Sequence, residues 1–292
     1  MQSDNGQLSN PPYLFQRLTT SATDTLMMGG RGTPNAITGL TRSLFRPSDD
    51  AVTFPLNIPG NAMICVEITH AVSMLKQLQK VSAQNQDLVA ALLVSAEKIG
   101  GTICSALKQI VDGQQSLPYE IDGYGGANFM DDANVPSLLS LPVLGFLSSE
   151  NEAYKKTRAN VLSLNNPFFY AGKVANGIGG PHVGTNMTWP MSIIVRAMTS
   201  SDEAEIKTCL EMLVTNTAGT GLMHESFNVN DGNDFTRSWF AWANGLFGEL
   251  VLQLVHTHPT LVLRDDPQVI QQAQSLVKTP IVLQAQKDVL FQ

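Results

Sequence analysis

The sequence predicts an all-α fold of antiparallel helix pairs whose long connections gather on one face. Three observations predict it. Apolar residues recur at spacings of three and four along several segments. No convincing run of alternating apolar and polar residues marks a strand, so sheet content is expected to be small. The connections 113–136, 164–189 and 215–236 are long and rich in Gly, Asp, Asn and aromatic residues. Long loops are functional or disordered, and disordered segments avoid aromatic residues, so these are read as functional.

The elements follow in order. Asn61, after Pro59-Gly60, is a suitable N-cap for a helix running to about Lys80. Leu88, Leu92, Ala96, Ile99, Ile103, Leu107 and Ile110 define one apolar face of the next helix. Ser149-Glu150-Asn151-Glu152 fits a capping box opening a helix towards Leu162. Trp189-Pro190 opens another, with proline suited to the first turn. Ser200-Ser201-Asp202-Glu203 caps a helix carrying Ile206, Leu210 and Leu213. The last strong helix carries Trp239, Ala243, Leu246, Leu250 and Leu254. No internal repeat forces a regular solenoid.

Composition narrows the class. With 292 residues, 43% hydrophobic and 15% charged, the chain is globular and long enough for a substantial core. It is read as one domain, 1–292, with 259–292 as a C-terminal extension. A net charge of −7 argues against nucleic acid, which needs a basic patch. Cys65, Cys104 and Cys209 lie in apolar helical stretches and read as free, buried small hydrophobes with no disulfide framework. The polar N-terminus lacks the charged and apolar regions of a signal peptide. No run of about 18 apolar residues occurs, so no membrane span is expected. Asn186-Met187-Thr188 is a formal glycosylation sequon, read as a chance match.

Five clusters place carboxylate or imidazole beside turn-forming residues. They are Arg46-Pro47-Ser48-Asp49-Asp50, Tyr119-Glu120-Ile121-Asp122-Gly123-Tyr124-Gly125, the stretch from Met130 to Ser137 with Asp131, Asp132 and Asn134, Gly179-Gly180-Pro181-His182, and the stretch from Gly221 to Phe227 with His224 and Glu225. Bound sugars are held by such groups: carboxylates and amides take hydroxyls, and aromatic rings cover apolar pyranose faces. Trp189, Trp239, Trp242, Tyr124 and Phe227 are available as platforms. Each cluster also has a plainer reading. Asp49-Asp50 and Asp131-Asp132 could be caps and turns, His182 could be structural, and Trp239 at helical spacing could be core. The number of clusters at loop–helix junctions favours a site. Other motifs fail: Gly177-Ile178-Gly179-Gly180 lacks the Lys-Ser/Thr of a phosphate loop, and His224-Glu225 is not HExxH because residue 228 is Asn. No serine-hydrolase or cysteine-nucleophile context is present.

The segments FRPSDDA (45–51), YEIDGYG (119–125), FMDDANVPSLLSLP (129–142), GGPHVG with TWPMSII (179–194), NTAGTGLMHESF (216–227) and FTRSWFAWANGLFGEL (235–250) together resemble glycoside hydrolase family 125, the metal-independent exo-acting α-1,6-mannosidases. The resemblance covers roughly residues 30 to 255. It implies an (α/α)6 barrel that hydrolyses terminal α-1,6-linked mannose with inversion and without a metal or other cofactor. It implies an Asp general acid within Arg46-Pro47-Ser48-Asp49-Asp50, either Asp49 or Asp50, and a general base at Glu225. Arg46, Asp131, Asp132, Asn134, His182, Trp189, His224, Arg237 and Trp239 are the expected substrate-binding residues, and α-mannosides or mannose-containing glycans the expected partners.

The chemistry is consistent with this pair. An inverting glycosidase protonates the leaving oxygen with one carboxyl group and activates water with a second, roughly 6.5–9.5 Å away. Adjacent Asp49 and Asp50 carry like charges that disfavour joint ionisation. The family's usual opening segment, with a motif like DIxAMWLRDS, is absent from this sequence. The expectation is therefore the later two-thirds of a barrel, about four helical hairpins. Two other readings follow: an inactive carbohydrate-binding remnant, and a helical interaction protein.

Overall fold

The computed structural model describes residues 14–81, 84–277, 280–287 and 289–291. The chain divides into two compact units, Met1–Phe129 and Met130–Gln292. Both are predominantly helical, with short strands between the helices.

In the first unit, β1 (Leu56–Asn57) leads into α1 (Ile58–Val81), which turns back as α2 (Gln86–Gly113). The chain then forms β2 (Glu120–Ile121) and β3 (Ala127–Asn128). The antiparallel sheet has the order β1-β2-β3, with Glu120 opposite both Asn57 and Asn128. The β2–β3 turn forms because Asp122 Oδ1 accepts from the amides of Tyr124 and Gly126, while Gly123 and Gly125 take positive φ.

Two expectations are corrected here. The side chain that caps α1 is Asn57, which accepts from Gly60 N at 2.8 Å. Asn61 lies inside the helix and ties it to Thr41 through both backbone groups of that residue. Cys65 and Cys104 are not free: they form a disulfide between α1 and α2 with Cα atoms 5.3 Å apart. Wide sequence spacing hid the pair, because a helical hairpin brings distant turns side by side. Cys209 is free and buried, and burial pushes its thiol up to about 11.

The predicted apolar face of α2 is only half covered. Ile103 and Leu107 are buried, whereas Leu88, Leu92 and Ile99 are about half exposed. Burial is confined to the start of α1 and the end of α2, next to the small sheet. At that end Gly100 is required, since a Cβ there would stand 2.6 Å from Ile68 Cγ2. By length and composition alone, α1 and α2 are each long and apolar enough to cross a membrane, although neither holds an uninterrupted run of about 18 apolar residues.

The second unit holds α3 (Glu152–Val161), α4 (Pro190–Met198), α5 (Glu203–Thr215), α6 (Ala241–Thr257), α7 (Pro267–Leu276) and α8 (Ile281–Lys287). Asn151, rather than Ser149, caps α3 by accepting from Ala153 N and Tyr154 N. Asp202 caps α5 through Ala204 N, and Pro190 opens α4, both as expected. The core gathers Leu138, Leu139, Leu141, Phe146, Tyr154 and nearly all of α4. Buried Tyr154 donates its hydroxyl to Leu139 O at 2.8 Å.

The loops read as irregular carry the strands. Strands β4 (Phe169–Ala171) and β5 (Asn176–Ile178) form a hairpin, and β6 (Met187–Thr188), β7 (Ser226–Asn228) and β8 (Asp231–Thr236) form a three-stranded sheet. All but β8 have too few residues to show alternation, and β8 opens on the turn-forming run Asp231-Gly232-Asn233-Asp234. The segment after Pro259 docks back on the unit: Leu290 N and Phe291 N donate to Gly145 O and Phe146 O, and Gln274 reaches Val255 O.

Candidate active site

The first unit contributes the Arg46–Asp50 turn. Its ends are closed by Asp49 N donating to Arg46 O and Arg46 N donating to Asp50 O. Asp49 takes a left-handed φ of 68°, a conformation uncommon outside glycine and most often met in Asn and Asp. Asp49 is exposed, whereas Asp50 is 2% exposed and accepts from the Ser48 hydroxyl at 3.0 Å. Arg46 is buried. Its Nε and Nη2 reach Glu120 Oε1 at 2.6 Å and Oε2 at 3.0 Å.

The second unit assembles most of the remaining predicted residues. Glu225, 8% exposed, immediately precedes β7. Its Oε2 lies 3.3 Å from Arg237 Nε across the β7–β8 pairing, where Ser226 stands opposite Thr236. The guanidinium of Arg237 also sits 5.8 Å over the ring of Phe240. Phe240 packs edge-on against Trp189 at 5.9 Å, and His182 packs edge-on against the same indole at 5.6 Å. One run of contacts thus links His182, Trp189, Phe240, Arg237 and Glu225.

Asp132 joins this group beside Gly180. A Cβ at Gly180 would fall about 3.8–3.9 Å from both Asp132 carboxylate oxygens and 3.9 Å from Trp189 Nε1. Asp132 Oδ1 accepts from the backbone and side-chain amides of Asn134. Trp189 Nε1 is buried and has no hydrogen-bond partner among the described residues. A buried N–H without an acceptor is costly, and this one neighbours the carboxylate cluster at a glycine that leaves space.

The other predicted residues stand in different surroundings. Trp189, at 2% exposure, is packed in the core and does not present a free stacking face. Trp239, expected as a substrate-binding residue on the last helix, lies just before α6 and is 57% exposed, so the plainer reading of it as core does not hold. Trp242 is also exposed, at 40%. Asp131 points into the fold: its two oxygens accept from Leu138 N and Leu139 N at 2.8 and 2.9 Å. Complete burial pushes its carboxyl up to about 8, against the opposing pull of those two amides. His224 supports the site from beneath. Its Nδ1 donates to Ser238 O at 2.7 Å and its ring stacks on Phe235 at 4.0 Å.

Two residues, Phe240 and Glu120, were not singled out as site residues from the sequence. Phe240, between Trp189 and Arg237, reads as one more apolar residue near a helix. Glu120 was visible only as part of the Tyr119–Gly125 cluster, because its partner Arg46 is 74 positions away.

A sequence profile described as metal-independent α-mannosidase (GH125) matches residues 1–252. The chain is 48% identical over 265 residues to the meiotically up-regulated gene 157 protein of Schizosaccharomyces pombe, covering 89% of this chain and 51% of that protein. It therefore spans about half the length of that curated relative. Among solved structures it is similar to a Streptococcus pneumoniae member of a family of metal-independent α-mannosidases, solved in a non-productive substrate complex with α-1,6-mannobiose. That similarity has a TM-score of 0.76 and 38% identity, over 82% of this chain and 56% of the other. The predicted fold class stands, as a helix-rich chain with the architecture of (α/α)6-barrel mannosidases. With the profile spanning most of its length, the chain belongs to the GH125 family of metal-independent α-mannosidases.

Proposed function

We propose that the chain hydrolyses non-reducing terminal α-1,6-linked mannose with inversion, using Asp50 as general acid and Glu225 as general base. The observation that carries the reading is the Glu225 carboxylate, nearly buried and held 3.3 Å from Arg237, at the end of a contact run that includes Trp189 and adjoins Asp132. Family membership supports the substrate class. The mannobiose bound by the pneumococcal relative supports the linkage.

The step needs one proton delivered and one removed. Asp50 gives its proton to the glycosidic oxygen as the bond to the anomeric carbon breaks. Water attacks that carbon from the opposite face while Glu225 takes the water's proton, and the sugar leaves with inverted configuration. Asp50 is the better acid of the adjacent pair because it is buried and its carboxyl orientation is fixed by Ser48, whereas Asp49 is exposed. Fixed orientation is what makes proton transfer efficient. The Arg237 guanidinium is a positive partner for the base. Asp132 and the Trp189 indole N–H offer an acceptor and a donor for one sugar hydroxyl.

The test is Glu225→Gln in the full chain with α-1,6-mannobiose. Turnover should fall by about 10²–10⁴-fold, while mannobiose still raises the melting temperature through binding to the folded state. Wild-type turnover in this variant removes Glu225 from the mechanism. Sugar-induced stabilisation of a wild-type chain without turnover identifies a binding protein instead. An unchanged melting temperature identifies neither.

A further inference from the structure

The carboxylate of Glu120 is completely buried, and five donors converge on it. Arg46 Nε meets Oε1, and Arg46 Nη2, Thr53 N, Phe54 N and Asn128 Nδ2 meet Oε2 at 3.0–3.3 Å. Two of these donors come from one side of the Asp49–Asp50 turn and two from the other. Arg46 begins the turn, while Thr53 and Phe54 follow it. The turn is thus closed by backbone bonds at its neck and drawn down by both flanks onto a single carboxylate. That carboxylate is set in the middle strand of the β1-β2-β3 sheet.

Such an arrangement exceeds what a structural ion pair requires. Bidentate Arg–carboxylate geometry fixes direction as well as distance. The remaining donors fill the lone pairs that a buried carboxylate would otherwise leave unsatisfied. Arg46 also packs at 5.6 Å over the buried Tyr119 ring, so its guanidinium has little freedom. Whatever Glu120 does to the position of Arg46, Thr53 and Phe54 is passed through two short backbone paths to Asp49 and Asp50.

We infer that Glu120 is a positioning residue for the general acid, acting through Arg46 and the amides of Thr53 and Phe54 to fix the Asp49–Asp50 turn. The inference rests on the reading of that turn as the acid's location. It extends it to a residue that touches no substrate and lies in a different sequence cluster. Glu120→Asp keeps the charge but withdraws the carboxylate by about 1.5 Å, one carbon–carbon bond, so the clasp is preserved in kind and altered in place.

The experiment compares the full chain with Glu120→Asp, Glu120→Gln and, as a core control in the same unit, Leu107→Ala. Two readouts are taken. Amide hydrogen exchange should quicken by about tenfold or more at Asp49, Asp50, Thr53 and Phe54 in both Glu120 variants, relative to α2 amides, because the local opening becomes easier. With α-1,6-mannobiose, Glu120→Asp should lower kcat by about 10–100-fold, the cost of misplacement by around an ångström, with KM little changed. Leu107→Ala should shift melting temperature without that split. Unchanged exchange at the four amides overturns the inference. So does faster exchange accompanied by a kcat loss no larger than that of Leu107→Ala at equal melting temperature. Should Asp50→Asn and Glu225→Gln both retain turnover, the assignment of the catalytic pair fails, and the exchange result alone decides whether Glu120 holds the turn.

Discussion

Arg237 holds its guanidinium Nε 3.3 Å from Glu225 while its own backbone sits in the left-handed region, at φ 46°. The two residues are twelve apart in sequence and meet because β7 and β8 pair antiparallel, Ser226 opposite Thr236. A non-glycine residue at positive φ carries strain that neighbouring structure must hold in place. Here the strained residue is the one that supplies the positive partner of the proposed base.

That relationship separates catalysis from stability. Arg237 is 65% exposed, so the ion pair contributes little to folding, about 0–1 kcal/mol after solvent screening. Arg237→Ala should therefore leave the urea midpoint nearly unchanged. Turnover of α-1,6-mannobiose should fall by about tenfold or more, since a charge-assisted contact at the reacting group is lost. Equal turnover in wild type and variant would show that the pair is a surface contact and nothing more.

Asp131 sets a pH dependence of stability. Burial raises its folded-state carboxyl from 3.8 to about 8. Between these values the folded chain keeps a proton that the unfolded chain releases. The contribution is therefore full below about pH 4 and is lost as pH rises towards 8. In Asp131→Asn that component of the slope should vanish. The variant should also be about 1–3 kcal/mol less stable at low pH, because an amide cannot accept from both Leu138 N and Leu139 N. Denaturation midpoints measured from pH 4 to 8 on both proteins check sign and window together.

The disulfide between Cys65 and Cys104 closes a loop of 39 residues. Removing it with Cys104→Ser should cost about 2–4 kcal/mol. Intact mass under non-reducing and reducing conditions reports the bond, and thermal unfolding with and without reductant reports its effect. If reductant leaves the melting temperature of the wild-type chain untouched, the bond is not a constraint on folding.

Trp189 offers a contrast between packing and recognition. Its indole N–H has no acceptor among the described residues, so Trp189→Phe removes no hydrogen bond seen there. The ring contacts with His182 and Phe240 are retained in kind. Thermal stability without sugar should fall only through packing. The stabilisation that α-1,6-mannobiose gives should shrink several-fold, since a donor beside Asp132 is gone. Undiminished stabilisation would show that this N–H faces no sugar.

Much of this was legible in the chain. The α4 and α5 starts were marked by Pro190 and Asp202, whose effects are local. The Glu225 and Arg237 segments were picked out as words of a family. The cap of α1 was misassigned because Asn57 and Asn61 are equally good residues for the position, and only the turn geometry distinguishes them. The α2 face was read correctly as apolar, but its half coverage was not legible, because periodicity reports which side is apolar, not whether anything covers it. Most of the strands were missed because two or three residues cannot display a period, and the six-residue β8 because Asp231-Gly232-Asn233-Asp234 reads as a turn.

The sequence by itself determined the helices, the acidic and aromatic character of the loops, and the family, since these depend on neighbours within a few turns or on whole motifs. The tertiary structure decided which carboxylates do what. Asp131 and Asp132 are adjacent, yet one is spent on the amides of Leu138 and Leu139 and the other lies beside Gly180 and the Trp189 indole. Glu120 meets Arg46 only because a helical hairpin returns the chain to the sheet. Burial and partner identity are properties of the folded surroundings, and residue type alone carries neither.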